Sequence, residues 1–191
     1  MVQSGKSWSV ASTPNPKLQN EDIVTFYYTV VQPAGSSNTA WMTRTVGKNV
    51  PPANKLVSLF SLANNKFVCA DNTGSSSLTA NRTGVDNWGQ EGWEQFRVID
   101  LGGGKVALQS QANGMYVCAE KTGRTPLIAN RPSAGDWEAF YWEPQPDGTV
   151  ALKAVSNGKY ISADLNKSNP PCLWATRGSV SAWEKFAVTF Y

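Results

Sequence analysis

Short runs of alternating apolar and polar residues follow one another along this chain, and no helical period interrupts them. Runs such as "KVALQS" lead into Asn-Asn or Asn-Gly and then into a second run such as "MYVCA". Asn-Gly between two alternating runs predicts a β-hairpin with a type I′ turn, whose two central residues both need positive φ. The pattern therefore predicts an all-β protein built from hairpins.

The same pattern occurs three times, and we place the copies at residues 55–104, 105–148 and 149–191. Cys69, Cys118 and Ser162 are equivalent, a third run reads "SLTANR", "PLIANR" or "CLWATR", and a fourth begins at Trp-Glu-X-Phe. Four short strands in three copies predict a β-trefoil over residues 55–191, because no single copy could bury its apolar face alone. A propeller is disfavoured, since three blades are fewer than the usual range of about four to eight.

Residues 1–54 have no counterpart in the repeats, and we predict that they form an N-terminal extension. "DIVTFYYTVVQ" and "TAWMTRTVG" predict a β-hairpin, and "KNVPPANK" predicts a connector into the trefoil. A lone hairpin is marginal in water, so we expect it to pack through Trp8 and Trp41. Self-association through the hairpin and attachment to a parent enzyme domain are both open.

The Trp-Glu-X-Phe phrase supplies the main candidate site residues. If the phrase is a strand, its Phe and Glu share one face and its Trp takes the other. We therefore predict Phe96, Phe140 and Phe186 in the core and Trp93, Trp137 and Trp183 facing solvent, where an indole can pack on a sugar ring. Glu94, Glu138 and Glu184 either accept hydrogen bonds from sugar hydroxyls or pair with Arg82, Arg131 and Arg177, and both roles can coexist.

A second acidic set recurs two residues after the cysteine position, at Asp71, Glu120 and Asp164. These side chains either cap a loop or contact a ligand hydroxyl. Asn81 and Asn130 recur as further candidates for ligand binding, and the third copy has Thr176 at that position and Trp174 two residues earlier. The first copy carries an insertion with Trp88 and Glu91, which could enlarge or obstruct its site.

Charge and composition exclude several functions. The net charge is only +3 and the basic residues form no cluster, so nucleic acid is not an expected partner. The sequence contains no stretch of about 18 apolar residues, which is the length that a membrane-spanning helix needs. The first twenty residues lack the apolar centre of a secretory signal. Charged residues make up just 16% of the chain, which is typical of extracellular β proteins, and we expect an extracellular location, with an intracellular one as the alternative.

The chain contains no histidine, so a histidine-based triad and the common zinc sites are unavailable, and we predict no metal, no cofactor and no catalytic residue. Three cysteines are too few for a disulfide scaffold. Cys69 and Cys118 lie in apolar runs, where we expect each thiol to act as a small buried hydrophobe.

The segments that read "Y-V-x-A-D/E", "L-x-A-N-R" and "W-E-x-F" resemble the fascin-like β-trefoils over residues 55–191. That family includes carbohydrate-binding modules attached to bacterial and plant glucanases, which use a Trp and a Glu in each repeat. The resemblance implies a non-catalytic module or lectin that binds β-glucan-type polysaccharide through up to three weak sites. Alternatives are a fascin-like actin-binding module, a glycosidase that pairs Asp136 with Glu138, and a protease inhibitor that uses the loop "NWGQEG".

Overall fold

The computed structural model describes residues 51–85, 92–120 and 123–191 with their side chains, and in residues 1–50 the backbones of four strands. The chain divides into two compact units, Met1–Lys48 and Asn49–Tyr191. In the first unit, β1 (Val2–Ser4) pairs antiparallel with β2 (Ser7–Ser9). β3 (Asp22–Val31) pairs antiparallel with β4 (Ser37–Val46) over its whole length.

These two long strands occupy the segments in which we predicted a hairpin. The side chains of Trp8 and Trp41, for which we expected packing contacts, lie outside the described residues. Residues 48–50, the first part of the predicted connector, also lie outside them.

The described residues of the second unit form twelve strands in three sets of four, one set in each sequence repeat. The first set is β5 (Leu56–Ser61), β6 (Lys66–Cys69), β7 (Thr79–Arg82) and β8 (Phe96–Gly102). The second is β9 (Lys105–Ser110), β10 (Tyr116–Cys118), β11 (Ile128–Arg131) and β12 (Phe140–Pro144). The third is β13 (Val150–Ala154), β14 (Tyr160–Ala163), β15 (Leu173–Arg177) and β16 (Phe186–Phe190).

The first and fourth strands of each set form a closed barrel. Hydrogen-bonded pairing runs from β5 to β8, β9, β12, β13 and β16, and β16 returns to β5 with Phe186 opposite Ser61 and Phe190 opposite Val57. Closure leaves the barrel without an edge strand to recruit another chain. The second and third strands pair with each other as three hairpins. This topology is that of a β-trefoil, as predicted.

A ring of three backbone hydrogen bonds joins the hairpins around the pseudo-threefold axis. The amide of Leu78 donates to the carbonyl of Leu127 at 2.8 Å, that of Leu127 to Leu173 at 2.9 Å, and that of Leu173 back to Leu78 at 2.9 Å. All three leucines are buried. The ring ties each repeat to both others, which explains physically why one repeat is incomplete alone.

The turn between the first two strands of each repeat differs from the type I′ prediction. Positive φ occurs only at its second residue, at Asn65, Gly114 and Gly158. The turn is wider, because the amide of that residue donates to the carbonyl four positions earlier, as between Gly114 and Ser110 at 2.9 Å. The preceding asparagine uses its side-chain amide to bind a carbonyl of the third strand, at 2.8 to 2.9 Å, in the pairs Asn64 with Ala80, Asn113 with Ala129 and Asn157 with Ala175.

A phenylalanine at the start of each fourth strand lies in the core. Phe96, Phe140 and Phe186 are fully buried, which confirms their predicted place. The fourth strand begins at the phenylalanine, however, and the preceding Trp-Glu-X lies in a turn, which in the third repeat includes a 3₁₀ helix at Ala182–Glu184. The prediction that the whole phrase is a strand was therefore wrong. The expectation of buried cysteines is confirmed for Cys69 and Cys118.

Candidate functional site

An arginine stacked on a tryptophan forms the centre of a cluster that occurs in every repeat. The arginine ends the third strand, and the tryptophan stands in the turn before the fourth, so the fold brings the two together across the repeat. The guanidinium carbon lies 5.7 Å from the indole centroid for Arg82 and Trp93, 5.8 Å for Arg131 and Trp137, and 5.3 Å for Arg177 and Trp183. These distances fall within the range of cation–π contacts. The arginine thus covers one face of each indole.

Two carboxylates hold each of these arginines. Nη2 of Arg82 bonds Oδ1 of Asp71, while Nη2 of Arg131 lies 3.4 Å from Oε1 of Glu120 and Nη2 of Arg177 lies 3.1 Å from Oδ2 of Asp164. On the other side, Nε of the arginine approaches the glutamate of the Trp-Glu-X-Phe phrase, at 3.4 Å for Glu94, 3.7 Å for Glu138 and 3.9 Å for Glu184. All twelve side chains of the three clusters were named from the sequence. The pairing of each arginine with the glutamate of the phrase was among the predicted roles, whereas its contacts with the second acidic set and with the indole were not predicted.

The three glutamates face the protein interior and pair with the arginines, which is one of the two roles predicted for them, and contact with a ligand hydroxyl stays a prediction. Glu94, Glu138 and Glu184 are 3%, 6% and 2% exposed. Oε2 of Glu138 accepts a hydrogen bond from the amide of Gly135 at 2.9 Å. Oε2 of Glu184 accepts from the amide and the hydroxyl of Ser181, at 2.8 and 2.6 Å. In the second and third repeats the carboxylate therefore closes the turn that precedes the fourth strand, beside Nε of the arginine.

The residues of the second acidic set, Asp71, Glu120 and Asp164, differ from one another in their hydrogen bonds and in their exposure. Oδ2 of Asp71 accepts hydrogen bonds from the hydroxyl of Thr79 at 2.9 Å and from the side-chain amide of Asn81 at 3.3 Å. Burial raises the pKa of Asp71, but hydrogen bonds from Thr79 and Cys69 and the charge of Arg82 outweigh it, so the pKa lies below its usual value. Asp71 is thus held as a carboxylate.

The acidic residues of the other two repeats differ in their access to solvent. The side chain of Glu120 is 39% exposed, whereas that of Asp164 is 2% exposed. Oδ1 of Asp164 also accepts a hydrogen bond from the amide of Asn166 at 3.1 Å, which is a loop-capping role. Asn130 is exposed. Glu120 and Asn130 therefore remain accessible to a ligand, and Asp164 is turned toward the protein.

The thiols beside these clusters are structural. Sγ of Cys69 lies 3.3 Å from Nε of Arg82 and 3.4 Å from Oε1 of Glu94. Burial raises the pKa of the Cys69 thiol far above its usual value. Burial and the neighbouring Glu138 raise the pKa of Cys118 to about 12. Both thiols therefore stay protonated and unreactive at neutral pH.

The indoles reach the surface, as predicted. Trp137 is 40% exposed, and Trp93 and Trp183 are half-buried. Trp93 lines an open cleft of about 640 Å³ together with Arg82, Asp71 and Thr79. Trp183 lines a cleft of about 490 Å³ together with Arg177 and Thr176. Each of these two clefts thus combines an aromatic side chain with polar groups.

The third repeat departs from the others as its sequence suggested. Trp174, which replaces Thr79 and Ile128 of the other copies, is covered by Lys167, whose Nζ lies 4.2 Å from the ring centroid. Thr176 takes the place of the asparagine and lines the third-repeat cleft. Trp88 and Glu91 of the first-repeat insertion lie outside the described residues.

Two further features of the described residues concern metals and membranes. Within residues 51–85, 92–120 and 123–191, no three Cys, Asp or Glu side chains are grouped so as to hold a metal ion. A search of the described part of the chain finds no helix with the length and apolar character that a bilayer crossing requires.

Fold and clusters together define a β-trefoil with three repeat-related surface clusters. Among solved structures, the chain is similar to the designed threefold symmetric protein ThreeFoil, with a TM-score of 0.60, 18% identity, and coverage of 70% of this chain and 97% of that one. It is also similar to a mosquitocidal holotoxin, with a TM-score of 0.61, 10% identity, and coverage of 78% of this chain and 18% of that one. Scans against family models and against curated proteins both return no match. These similarities support the fold alone.

Proposed function

We propose that this protein is a non-catalytic carbohydrate-binding module that binds neutral polysaccharides of the β-glucan type through its three Trp-Arg clusters. The observation that carries the proposal is that the indole stacked on the arginine reaches the surface in every repeat. An indole fixed in this way loses little further side-chain entropy when a sugar ring packs on its exposed part. The polar rim supplies partners for the sugar hydroxyls.

The charge of each cluster favours a neutral ligand. In each repeat one arginine faces two acidic side chains, as Arg131 faces Glu120 and Glu138. The guanidinium is therefore already neutralised by the protein and is not available to bind a carboxylate or sulfate of an acidic polysaccharide. An anionic sugar would meet an excess of negative charge at each site, whereas a neutral sugar would not.

Several weak sites on one rigid trefoil suit a polymer. A polysaccharide that is bound at one cluster presents its other residues to the second and third at a raised effective concentration. We therefore expect weak binding of short oligosaccharides and much tighter retention on long chains.

Affinity electrophoresis in native gels that contain a soluble neutral β-glucan tests the proposal. We expect Trp93→Ala, Trp137→Ala and Trp183→Ala each to weaken retardation by about threefold to tenfold, as the loss of one aromatic contact predicts, and the triple variant to migrate freely. Tyr141→Ala is the matched control, because Tyr141 is 41% exposed against 40% for Trp137 but lies on the barrel strand β12, outside the clusters.

The proposal would be refuted if no neutral polysaccharide retarded the protein, or if Tyr141→Ala weakened binding as much as Trp137→Ala. A gel with carboxymethylated β-glucan tests the charge argument separately. We expect weaker retardation there than with the neutral polymer, and equal or stronger retardation would contradict the preference for neutral chains.

A further inference from the structure

The hairpin of the second and third strands contains two more residues in the third repeat than in the other two. Nine positions separate Cys69 from Leu78 and Cys118 from Leu127, whereas eleven separate Ser162 from Leu173. The two additional residues allow Ala163 to pair with Leu173, one pair beyond the last pair of the other two hairpins. The end of the third hairpin, the segment "LNKSNPP" at residues 165–171, is therefore carried one residue pair further, and we call it the third-repeat loop.

This third-repeat loop reaches the first repeat. The amide of Ala80 donates to the carbonyl of Pro171 at 2.8 Å, and Thr79 forms an isolated antiparallel bridge with Cys172. The hydroxyl of Ser168 accepts a hydrogen bond from the amide of Cys172 at 2.8 Å, which closes the end of the loop. The end of the loop is thereby fixed beside strand β7, next to the first Trp-Arg cluster.

The cleft at the first cluster consequently has walls from all three repeats, with Ile128 as the contribution of the second. Trp93, Arg82 and Thr79 line one part of it, and Ser168, Asn169 and Pro170 of the third-repeat loop line another. The third-repeat cleft, in contrast, is lined by residues of the third repeat alone. Its volume is about 490 Å³, against about 640 Å³ for the first.

We infer that the first-repeat cleft is an extended subsite that binds several consecutive sugar units of one neutral glucan chain. One unit packs on Trp93, and the units beyond it lie against the third-repeat loop, where the exposed Asn169 offers both a hydrogen-bond donor and an acceptor. A volume of about 640 Å³ suits this occupant, since pockets of about 300–1,000 Å³ enclose ligands larger than a single hexose. This inference rests on the proposed function, and it assigns unequal roles to the three sites.

Two double variants, each of which retains one intact cluster, test the inference. The double variant Trp137→Ala/Trp183→Ala retains only the first cluster, and Trp93→Ala/Trp137→Ala retains only the third. Binding of β-glucan oligosaccharides of two to six units to each is measured by isothermal titration calorimetry. We expect the affinity of the first cluster to rise by about tenfold between the shortest and longest ligands, as one or two net hydrogen bonds would produce, and that of the third cluster to level off earlier.

Asn169→Ala in the variant that retains the first cluster should reduce this gain to about twofold while leaving the affinity for the disaccharide unchanged. The same change in the variant that retains the third cluster is the control, and we expect no effect there. Equal length dependence at both clusters, or an equal loss for Asn169→Ala in both variants, would overturn the extended subsite while leaving the proposed function intact. Failure of the unmodified protein to bind any neutral glucan would overturn both.

Discussion

Gly123 connects the second repeat to the third through a contact that admits no side chain. It lies in the loop that follows β10, three residues after Glu120, and its φ is +59°. A Cβ atom at this position would lie 2.6 Å from the carbonyl oxygen of Ala175 and 3.0 Å from Nδ2 of Asn157. That oxygen and that nitrogen are hydrogen-bonded to each other at 2.9 Å. The loop that carries Glu120 is therefore seated on the hairpin of the next repeat.

Two costs add up in Gly123→Ala. A left-handed conformation costs a residue with a Cβ about 1–2 kcal/mol. Relief of a close contact with backbone costs about 1–3 kcal/mol more, because the carbonyl of Ala175 has to move. We therefore expect a loss of about 2–5 kcal/mol in the free energy of unfolding. Gly114→Ala is the matched control, because Gly114 has a φ of +70° and no atom within 4 Å of its Cβ position, and only the first cost of about 1–2 kcal/mol applies to it.

Urea unfolding followed by tryptophan fluorescence compares the two variants. At the size of this chain, a difference of 1 kcal/mol corresponds to roughly 2–4 °C in the thermal midpoint, so differential scanning calorimetry provides a second measurement. An equal loss of stability in both variants would refute the argument, since it would show that the loop can move away from Ala175 at no cost.

Three further results are expected. Leu127→Ala should cost about 2–5 kcal/mol in unfolding free energy, because the residue is 1% exposed on the threefold axis, while Leu101→Ala, at an exposed position, should change it by less than about 0.5 kcal/mol. Cys172 should react with a disulfide reagent in the native protein, whereas the buried Cys118, with its pKa raised to about 12, should react only on unfolding, as a colorimetric thiol assay would show. The lowered pKa of Asp71 stabilises the fold above the usual pKa of an aspartate, and this contribution is lost as the pH falls through the lowered value. Asp71→Asn should therefore flatten the acid limb of a plot of unfolding free energy against pH.

The threefold architecture was predictable because it depends on patterns that a single sequence carries. The alternation of apolar and polar residues predicted the strands, and the three copies predicted their number. A closed barrel was the expected arrangement because Phe96, Phe140 and Phe186 have to be buried together. The Arg-Glu pairing was also predictable, since charges that recur at one spacing in every copy meet at the same place in every copy.

Alternation placed the glutamates on the same side as the phenylalanines, and the structure has them there for a different reason. Alternation of faces applies only from the first residue of a strand, and in this protein the strand begins three residues after the tryptophan. In the turn that precedes it, hydrogen bonds such as those from Ser181 draw Glu184 inward. Nothing in the sequence indicated that Asn169 would border the first cluster, because that depends on the order of the repeats around the axis.

The three clusters share the arginine and the glutamate beside the indole, and they differ in the residues that surround them, which we call the rims. The arginine and the glutamate beside the indole recur in every repeat because they stabilise the turn into the barrel, whether or not a ligand is bound. The rims carry no such constraint, and they contain Asn169 beside the first cluster, Asn130 in the second repeat and Thr176 at the third. Recurrence alone would therefore be consistent with a purely structural motif. The exposure of Trp137 to 40% argues against that reading, because a structural cation–π pair would be stronger with its indole shielded from water.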